Sequence, residues 1–153
     1  MTTARQTSLL ESTWIDCRDG NPTAMAIFQQ HYTARAHRKL FQFVGPGEKM
    51  VLLTPDALAL FVWRKFIDDA PKQTGVNCAV FRNEGSELSS FLIGEAEKLA
   101  WQRWPAERLY TYVDPNKTRR KRDPGRCFIR AGWKPCGWTK GGLRILEKLY
   151  SCI

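Results

Sequence analysis

The sequence has few of the residues that build metal centres. It contains only two histidines and five cysteines in 153 residues. No C-x-x-C pair occurs and no histidine lies near a cysteine at zinc-finger spacing, so the cysteines are expected to be reduced thiols. Two histidines also argue against a dedicated multi-histidine site, and any metal requirement stays unassigned. Cys127 and Cys136 lie among cations that would lower a thiol pKa, which leaves a catalytic thiol there as an alternative to simple packing.

Long apolar runs are missing as well. Charged residues interrupt every apolar stretch well before the roughly 18 consecutive apolar residues that a bilayer-spanning helix needs. The first residues, MTTARQTSLLEST, lack the apolar core and the small-residue cleavage site of a secretory signal. The sequence therefore predicts a cytoplasmic protein that does not bind membranes.

The composition indicates a globular domain. Hydrophobic residues make up 43% and charged residues 25% of the chain, which is enough apolar material for a core and too much for a disordered tail. The length corresponds to one ordinary domain. We therefore expect a single domain over residues 1–153.

The positive charge is concentrated near the C-terminus. Residues 1–116 carry 13 basic and 13 acidic side chains, whereas residues 117–148 carry 11 basic and two acidic ones and so account for the whole net charge of +9. Such a field attracts a polyanion, because neutralisation of phosphates supplies most of the sequence-independent affinity for nucleic acids. We expect the following residues of this basic segment to contact nucleic acid: Lys117, Arg119, Arg120, Lys121, Arg122, Arg126 and Arg130.

Aromatic residues are interleaved with these cations. Phe128, Trp133 and Trp138 would suit stacking on bases or on an extruded nucleotide. The alternative is that the aromatic residues belong to the core and that KTRRKR is a solvated loop. An acidic cofactor such as coenzyme A, with its 3′-phosphate and pyrophosphate, would use some of the same cations.

Periodicity and turn signals predict an α+β protein. The central part of the order is a strand, a glycine turn and a long helix. Asn21 is the expected N-cap of the first helix. The expected strands cover residues 9–17, 49–54, 57–67, 75–81, 108–113 and one or two stretches of 133–146, and the expected helices cover 22–38, 86–104 and 124–131.

The central turn is a candidate phosphate site. After the strand that ends at Phe81, the chain has to expose backbone N–H groups and enter a helix N-terminus, which carries about half a positive charge. A glycine there permits backbone conformations that other residues resist, and an arginine adds a cation. An ordinary loop would have the same composition. The candidate binding residues are Arg82, Asn83, Glu84, Gly85 and Ser86.

This turn resembles the pyrophosphate-binding motif Q/R-x-x-G-x-G/A of the GNAT acyltransferases. Arg82 and Gly85 match its first two fixed positions, while Glu87 replaces the small final residue. A second segment, DPGRCFIRAGW, is similar to the family's N-x-x-A-x-x-x-Y-E-K-x-G-F, with Phe128 in place of the tyrosine that protonates the coenzyme A thiolate. The resemblance implies a GNAT-like fold, in which helices flank a mixed and mostly antiparallel central sheet, and acetyl-CoA or another acyl-CoA as donor.

A narrower resemblance covers most of the chain. HYTAR, FRNEG, YTYVDPNK and PGRCFIRAGW together resemble the phage-encoded Mom-like branch of this superfamily, over about residues 14–146. The resemblance implies a transferase of the host cytoplasm that moves an acyl-CoA-derived group onto a DNA base, with N6 of adenine as the expected acceptor. Duplex DNA with a flipped base is the expected partner, and the oligomeric state stays open, a homodimer included.

Acyl transfer to an amine sets the catalytic candidates. It requires a group that polarises the carbonyl, an acceptor for the amine proton and an acid for the thiolate. A backbone N–H of the strand at 75–81 is expected to polarise the carbonyl. Asp114 is the candidate for proton handling or for orienting the base, with a turn-forming role as the alternative. Tyr32, supported by His31 and Tyr112, is the candidate acid, with surface or packing roles as the alternatives.

Two other functions stay open from the sequence. The first is a GNAT N-acetyltransferase that acts on a small-molecule or protein amine. The second is a catalytically inactive DNA-binding module that retains the fold. Equal turnover of a free amine with and without DNA would favour the first over DNA modification. The absence of acyl-CoA binding, together with DNA binding, would favour the second.

Overall fold

The computed structural model describes residues 13–17, 21–28, 47–66, 73–116 and 125–151. These residues form one seven-stranded sheet and three helices, which confirms the predicted α+β class. The strands are β1 (Ile15–Cys17), β2 (Glu48–Leu53), β3 (Ala59–Lys65), β4 (Val76–Asn83), β5 (Leu109–Val113), β6 (Lys134–Trp138) and β7 (Arg144–Lys148). The helices are α1 (Pro22–Phe28), α2 (Ser89–Arg103) and α3 (Arg126–Arg130).

The sheet is mixed and mostly antiparallel, as expected. Its spatial order is β1-β2-β3-β4-β5-β7-β6. Only β4 and β5 run parallel, and every other neighbouring pair is antiparallel. A parallel pair needs a crossover, which α2 supplies. The C-terminal ends of β4 and β5 therefore lie at the same edge of the sheet.

Helices cover both faces of the sheet. The larger core lies on the α2 and α3 face and includes the fully buried Phe61 and Trp63. The smaller core lies on the opposite face, where Ala24 and Ile27 of α1 cover Val62. Alternate residues of a strand point to opposite faces, so a strand covered on both faces becomes a nearly continuous apolar run, as in β2 and β3.

Helix α1 begins as the sequence predicts. The side chain of Asn21 accepts the backbone N–H groups of Thr23 at 2.9 Å and Ala24 at 3.1 Å, which confirms it as the N-cap. The rest of the predicted helix, up to residue 38, lies outside the described residues. Among the helices that the structure describes, none is long and apolar enough to cross a membrane.

Helix α2 begins later than the sequence predicts. Ser86 was the expected start, but the first helical residue is Ser89, with Leu88 as N-cap. The side-chain amide of Asn83 donates to Glu87 O at 2.7 Å and to Ser89 Oγ at 3.0 Å, which holds the intervening residues as a loop. Leu88 itself is 63% exposed.

Candidate functional site

Strands β4 and β5 pair over a short stretch and then part. Their register runs from Val76 opposite Leu109 to Cys78 opposite Thr111. The hydroxyl of Thr111 donates to Cys78 O at 3.0 Å at the end of the paired part. Both strands continue beyond this point without pairing to each other. We call the unpaired part, between residues 79–83 and 112–113, the strand gap.

A β-bulge lies at the start of the strand gap. On the side of β4 that faces β3, Cys78 pairs with Trp63 and Val80 pairs with Val62, so Ala79 is the extra residue. A bulge leaves one residue out of the ladder and turns the local backbone. Together, the bulge and the gap leave main-chain groups of β4 without partners on β5, and these groups can pair with an extended ligand.

A cavity of about 300 Å³ lies at the end of β4, between the turn after β2 and the loop before α2. Asn83, Gly85 and Ser86 line it, which brings together three of the predicted phosphate-binding residues. Its volume is at the lower end of the range for ligand sites, about 300–1,000 Å³. Asp56 and Glu87 line the same cavity from the two sides.

Hydrogen bonds within the loop decide which N–H groups can bind an anion. The N–H of Glu84 donates to Leu58 O at 2.7 Å, and that of Gly85 donates to Asn83 Oδ1 at 2.9 Å, so both are already occupied. Helix α2 has no side-chain bond at its N-cap, and the first N–H groups of a helix have no partner inside it. The donors for an anion are therefore those of residues 86–91, later in the chain than predicted.

Carboxylates near this loop would repel a bound anion. The Nε of Arg82 donates to Glu84 Oε2 at 2.6 Å, which neutralises the cation expected at the entrance. Hydrogen bonds from the Thr54 hydroxyl and from the Leu58 N–H lower the pKa of Asp56 and keep it charged. The loop therefore offers an anion mainly backbone donors, with carboxylates close by.

Two predicted catalytic residues lie at the end of β5. Asp114 follows the strand and its Oδ1 accepts the N–H of Asn116 at 2.9 Å, so the turn-forming role is present. Burial raises the pKa of Tyr112, although Arg108 lowers it in part. The phenol therefore keeps the proton that any tyrosine carries at neutral pH. Both residues border the strand gap.

The predicted nucleic-acid-binding residues that lie within the described ranges are both on helix α3. Arg126 and Arg130 lie one turn apart at its two ends, and both are exposed. The remaining predicted site residues lie outside the described residues: His31, Tyr32, Lys117, Arg119, Arg120, Lys121 and Arg122.

The three aromatic residues of the basic segment differ in burial. Phe128 is 6% and Trp133 is 2% exposed, with ring centroids 4.9 Å apart, so base stacking by these two is contradicted and the core alternative holds. Trp138 is 62% exposed. Phe128 also contacts Phe81 of β4, edge to face, which places α3 against the strand that carries the bulge.

A buried ion pair behind the site was missed by sequence reasoning. Glu97 of α2 accepts the indole N–H of Trp133 at 2.7 Å, and its other carboxylate oxygen lies 2.8 Å from Lys148 Nζ. Lys148 also donates to Ala131 O at 2.7 Å. These bonds tie α2 to α3 and to the hairpin of β6 and β7. The sequence does indicate this pair: Glu97 lies among the apolar residues on the buried side of α2, and a buried charge needs a partner.

Sequence reasoning also missed a row of polar residues on the face of the sheet opposite α2 and α3. Arg64, Asn77, Tyr110 and Glu147 lie abreast on β3, β4, β5 and β7. Asn77 is 8% exposed, and its Oδ1 has no hydrogen-bond partner within the described ranges. Burial, and to a smaller extent Tyr112, raises the pKa of Tyr110 to about 12. A buried acceptor thus stands beside a protonated phenol near the start of the strand gap.

The two candidate thiols differ in their surroundings. Burial raises the pKa of Cys127, which contradicts a reactive thiol there. Cys136 is exposed and free, and Arg108 Nη2 donates to its sulfur at 3.5 Å. Within residues that the structure describes, no three His, Cys, Asp or Glu side chains form a cluster that could hold a metal ion.

No protein-family model matches the chain. No curated protein matches it either. The resemblance to GNAT acyltransferases therefore rests on the sequence motifs alone.

Proposed function

We propose that this protein is a GNAT-like, Mom-like transferase that moves an acyl-CoA-derived group onto a DNA base, with N6 of adenine as the acceptor. The observation that carries the proposal is the strand gap, where two central parallel strands part after Cys78 and Thr111 beside a bulge at Ala79. One parallel pair within an otherwise antiparallel sheet supports the GNAT-like topology.

The strand gap suits the donor's extended arm. Acetyl-CoA or another acyl-CoA would supply an acyl group already activated as a thioester. Main-chain groups of β4 beyond the bulge would hold the arm as a neighbouring strand does, and an N–H there would polarise the carbonyl. The donors of residues 86–91 would face the phosphates, while Asp56 and Glu87 would weaken that contact. We therefore expect modest affinity for the donor.

The proposed acid and base lie on the β5 side of the gap. Asp114 would accept or steer the proton that the acceptor amine loses, and its bond from Asn116 fixes the carboxylate. Tyr112 Oη would donate the proton that a leaving thiolate requires, since a phenol is protonated at neutral pH. Tyr32 and His31 remain proposed members of the same site. Phe128 cannot serve as the acid and instead belongs to the core.

The basic segment supplies the argument for DNA. Its charge accounts for the whole net charge of the chain, and the exposed Arg126 and Arg130 present part of it on α3. A base inside a duplex cannot reach an enclosed reacting group, so the target nucleotide would turn out of the stack. The carboxylates around the donor loop favour a second candidate, an inactive DNA-binding module that retains the fold.

Mass spectrometry of nucleosides tests the substrate and the product together. DNA from cells that express the native protein should contain a modified deoxyadenosine. Asp114→Ala should abolish the product and retain DNA affinity, while Glu95→Ala, which removes an ion pair with the exposed Lys98 of α2, should retain both. Unmodified DNA, together with no binding of acetyl-CoA by calorimetry, would contradict the enzyme and favour the DNA-binding module. Turnover of a free amine that DNA does not change would favour an N-acetyltransferase.

A further inference from the structure

The hairpin of β6 and β7 displays a tryptophan at its tip. Trp138 is the last residue of β6, is 62% exposed, and pairs with Arg144 of β7. The turn behind it is closed by bonds from Thr139 N–H to Leu143 O at 2.8 Å, from Gly142 N–H to Thr139 O at 3.0 Å, and from Leu143 N–H to Thr139 Oγ1 at 3.0 Å. The indole is therefore exposed to solvent next to a turn that its own hydrogen bonds close.

The other tryptophans have structural roles. All six lie within the described residues, and four are at most 4% exposed. The fifth, Trp101, is partly buried and donates its indole N–H to Glu107 O at 2.8 Å. A single exposed apolar side chain needs no explanation by itself. The surroundings of Trp138 give the reason to assign it a partner.

Exposed cations lie on the hairpin that carries Trp138 and on α3, which contacts β6. Lys134 and Lys140 belong to the same hairpin, Arg126 and Arg130 belong to α3, and all four are exposed. Within the part of the chain that the structure describes, none of the four forms an ion pair. Aromatic side chains next to cations bind nucleic acids by stacking on bases while the cations contact phosphates. The charge and the aromatic face thus fit the same partner.

The position of Trp138 relates it to the strand gap. Val113 of β5, Arg144 of β7 and Trp138 of β6 lie in one row across the sheet. Neighbouring strands are about 4.8 Å apart, so the backbone of Trp138 lies about 10 Å from the end of β5. Asp114, which follows β5, borders the gap. A side chain that replaces a turned-out base has to lie near the pocket that receives the base.

We propose that Trp138 stacks on a DNA base next to the modified nucleotide and occupies the space that the turned-out base leaves. Its contribution is independent of sequence, because every base has a π-face. The identity of the partner as DNA rests on the proposed function. The stacking role of Trp138 is a separate claim and can fail alone.

Two substitutions at Trp138 test the role. Trp138→Ala should weaken binding of a fluorescein-labelled single-stranded oligodeoxynucleotide and of a duplex by about 5- to 100-fold, measured by fluorescence anisotropy. Trp138→Phe should retain most of the affinity, since a smaller ring still stacks. The dependence of log K on log salt should stay the same in all variants, because no phosphate contact is lost.

Leu149→Ala provides the matched control. Leu149 is also 62% exposed but follows the other end of β7, so its loss should not change DNA affinity. Equal affinities of the native protein and Trp138→Ala, with ordinary salt-dependent binding, would overturn the stacking role and leave the DNA proposal intact. A smaller salt slope in Trp138→Ala would also overturn it, since the residue would then act by positioning cations. No DNA binding by the native protein would overturn both proposals.

Discussion

Glu97→Ala should destabilise the protein strongly. The carboxylate is 5% exposed and is bonded to Trp133 and Lys148. Without it, the buried indole N–H of Trp133 loses its acceptor, and the ammonium group of Lys148 loses its charged partner. Helix α2 also loses its polar link to the hairpin of β6 and β7.

The expected loss follows from the burial of the partners. Removing one member of a buried ion pair costs about 3–5 kcal/mol. Lys148 is 28% exposed and keeps its bond to Ala131 O, which favours the lower end, about 3 kcal/mol. Total stabilities of domains are about 5–15 kcal/mol. For a domain of this size, such a loss lowers Tm by about 6–12 °C.

Urea unfolding followed by tryptophan fluorescence measures the effect. Glu97→Gln retains an acceptor for Trp133 but loses the charge that faces Lys148, and should fall between the native protein and Glu97→Ala. Glu95→Ala is the control, because Glu95 pairs with the exposed Lys98 and its loss should not be measurable. A urea midpoint of Glu97→Ala equal to that of the native protein, with an unchanged m-value, would refute the reasoning.

Two further predictions concern the polar row. Asn77→Leu should raise the free energy of unfolding by about 1–2 kcal/mol, because it removes a buried acceptor that lacks a partner; a lower urea midpoint would contradict this. Stability should fall as the pH rises from about 10 to about 12, because the folded pKa of Tyr110 is raised to about 12 and the folded state keeps a proton that the unfolded state loses. Tyr110→Phe should flatten that decline in urea midpoints measured across this pH range, and an equal decline would show that other groups cause it.

The sequence by itself determined the order of the elements and the position of the charge. The cap at Asn21 could be predicted because its bonds join residues two and three positions apart. The strand, turn and helix around Gly85 could be predicted for the same reason, although the start of α2 was displaced by bonds from Asn83. Side-chain capping and periodicity are local, so they are visible in one stretch of residues.

Tertiary structure alone decided the geometry of the candidate site. Where β4 parts from β5 depends on the pairing of Cys78 with Thr111, and the bulge at Ala79 depends on its register with β3. Trp133 is buried while the nearby Trp138 is exposed, because only the first faces Glu97 of α2. These contacts join residues far apart in the chain. Their geometry follows from packing of the whole sheet and its helices, which no local pattern specifies.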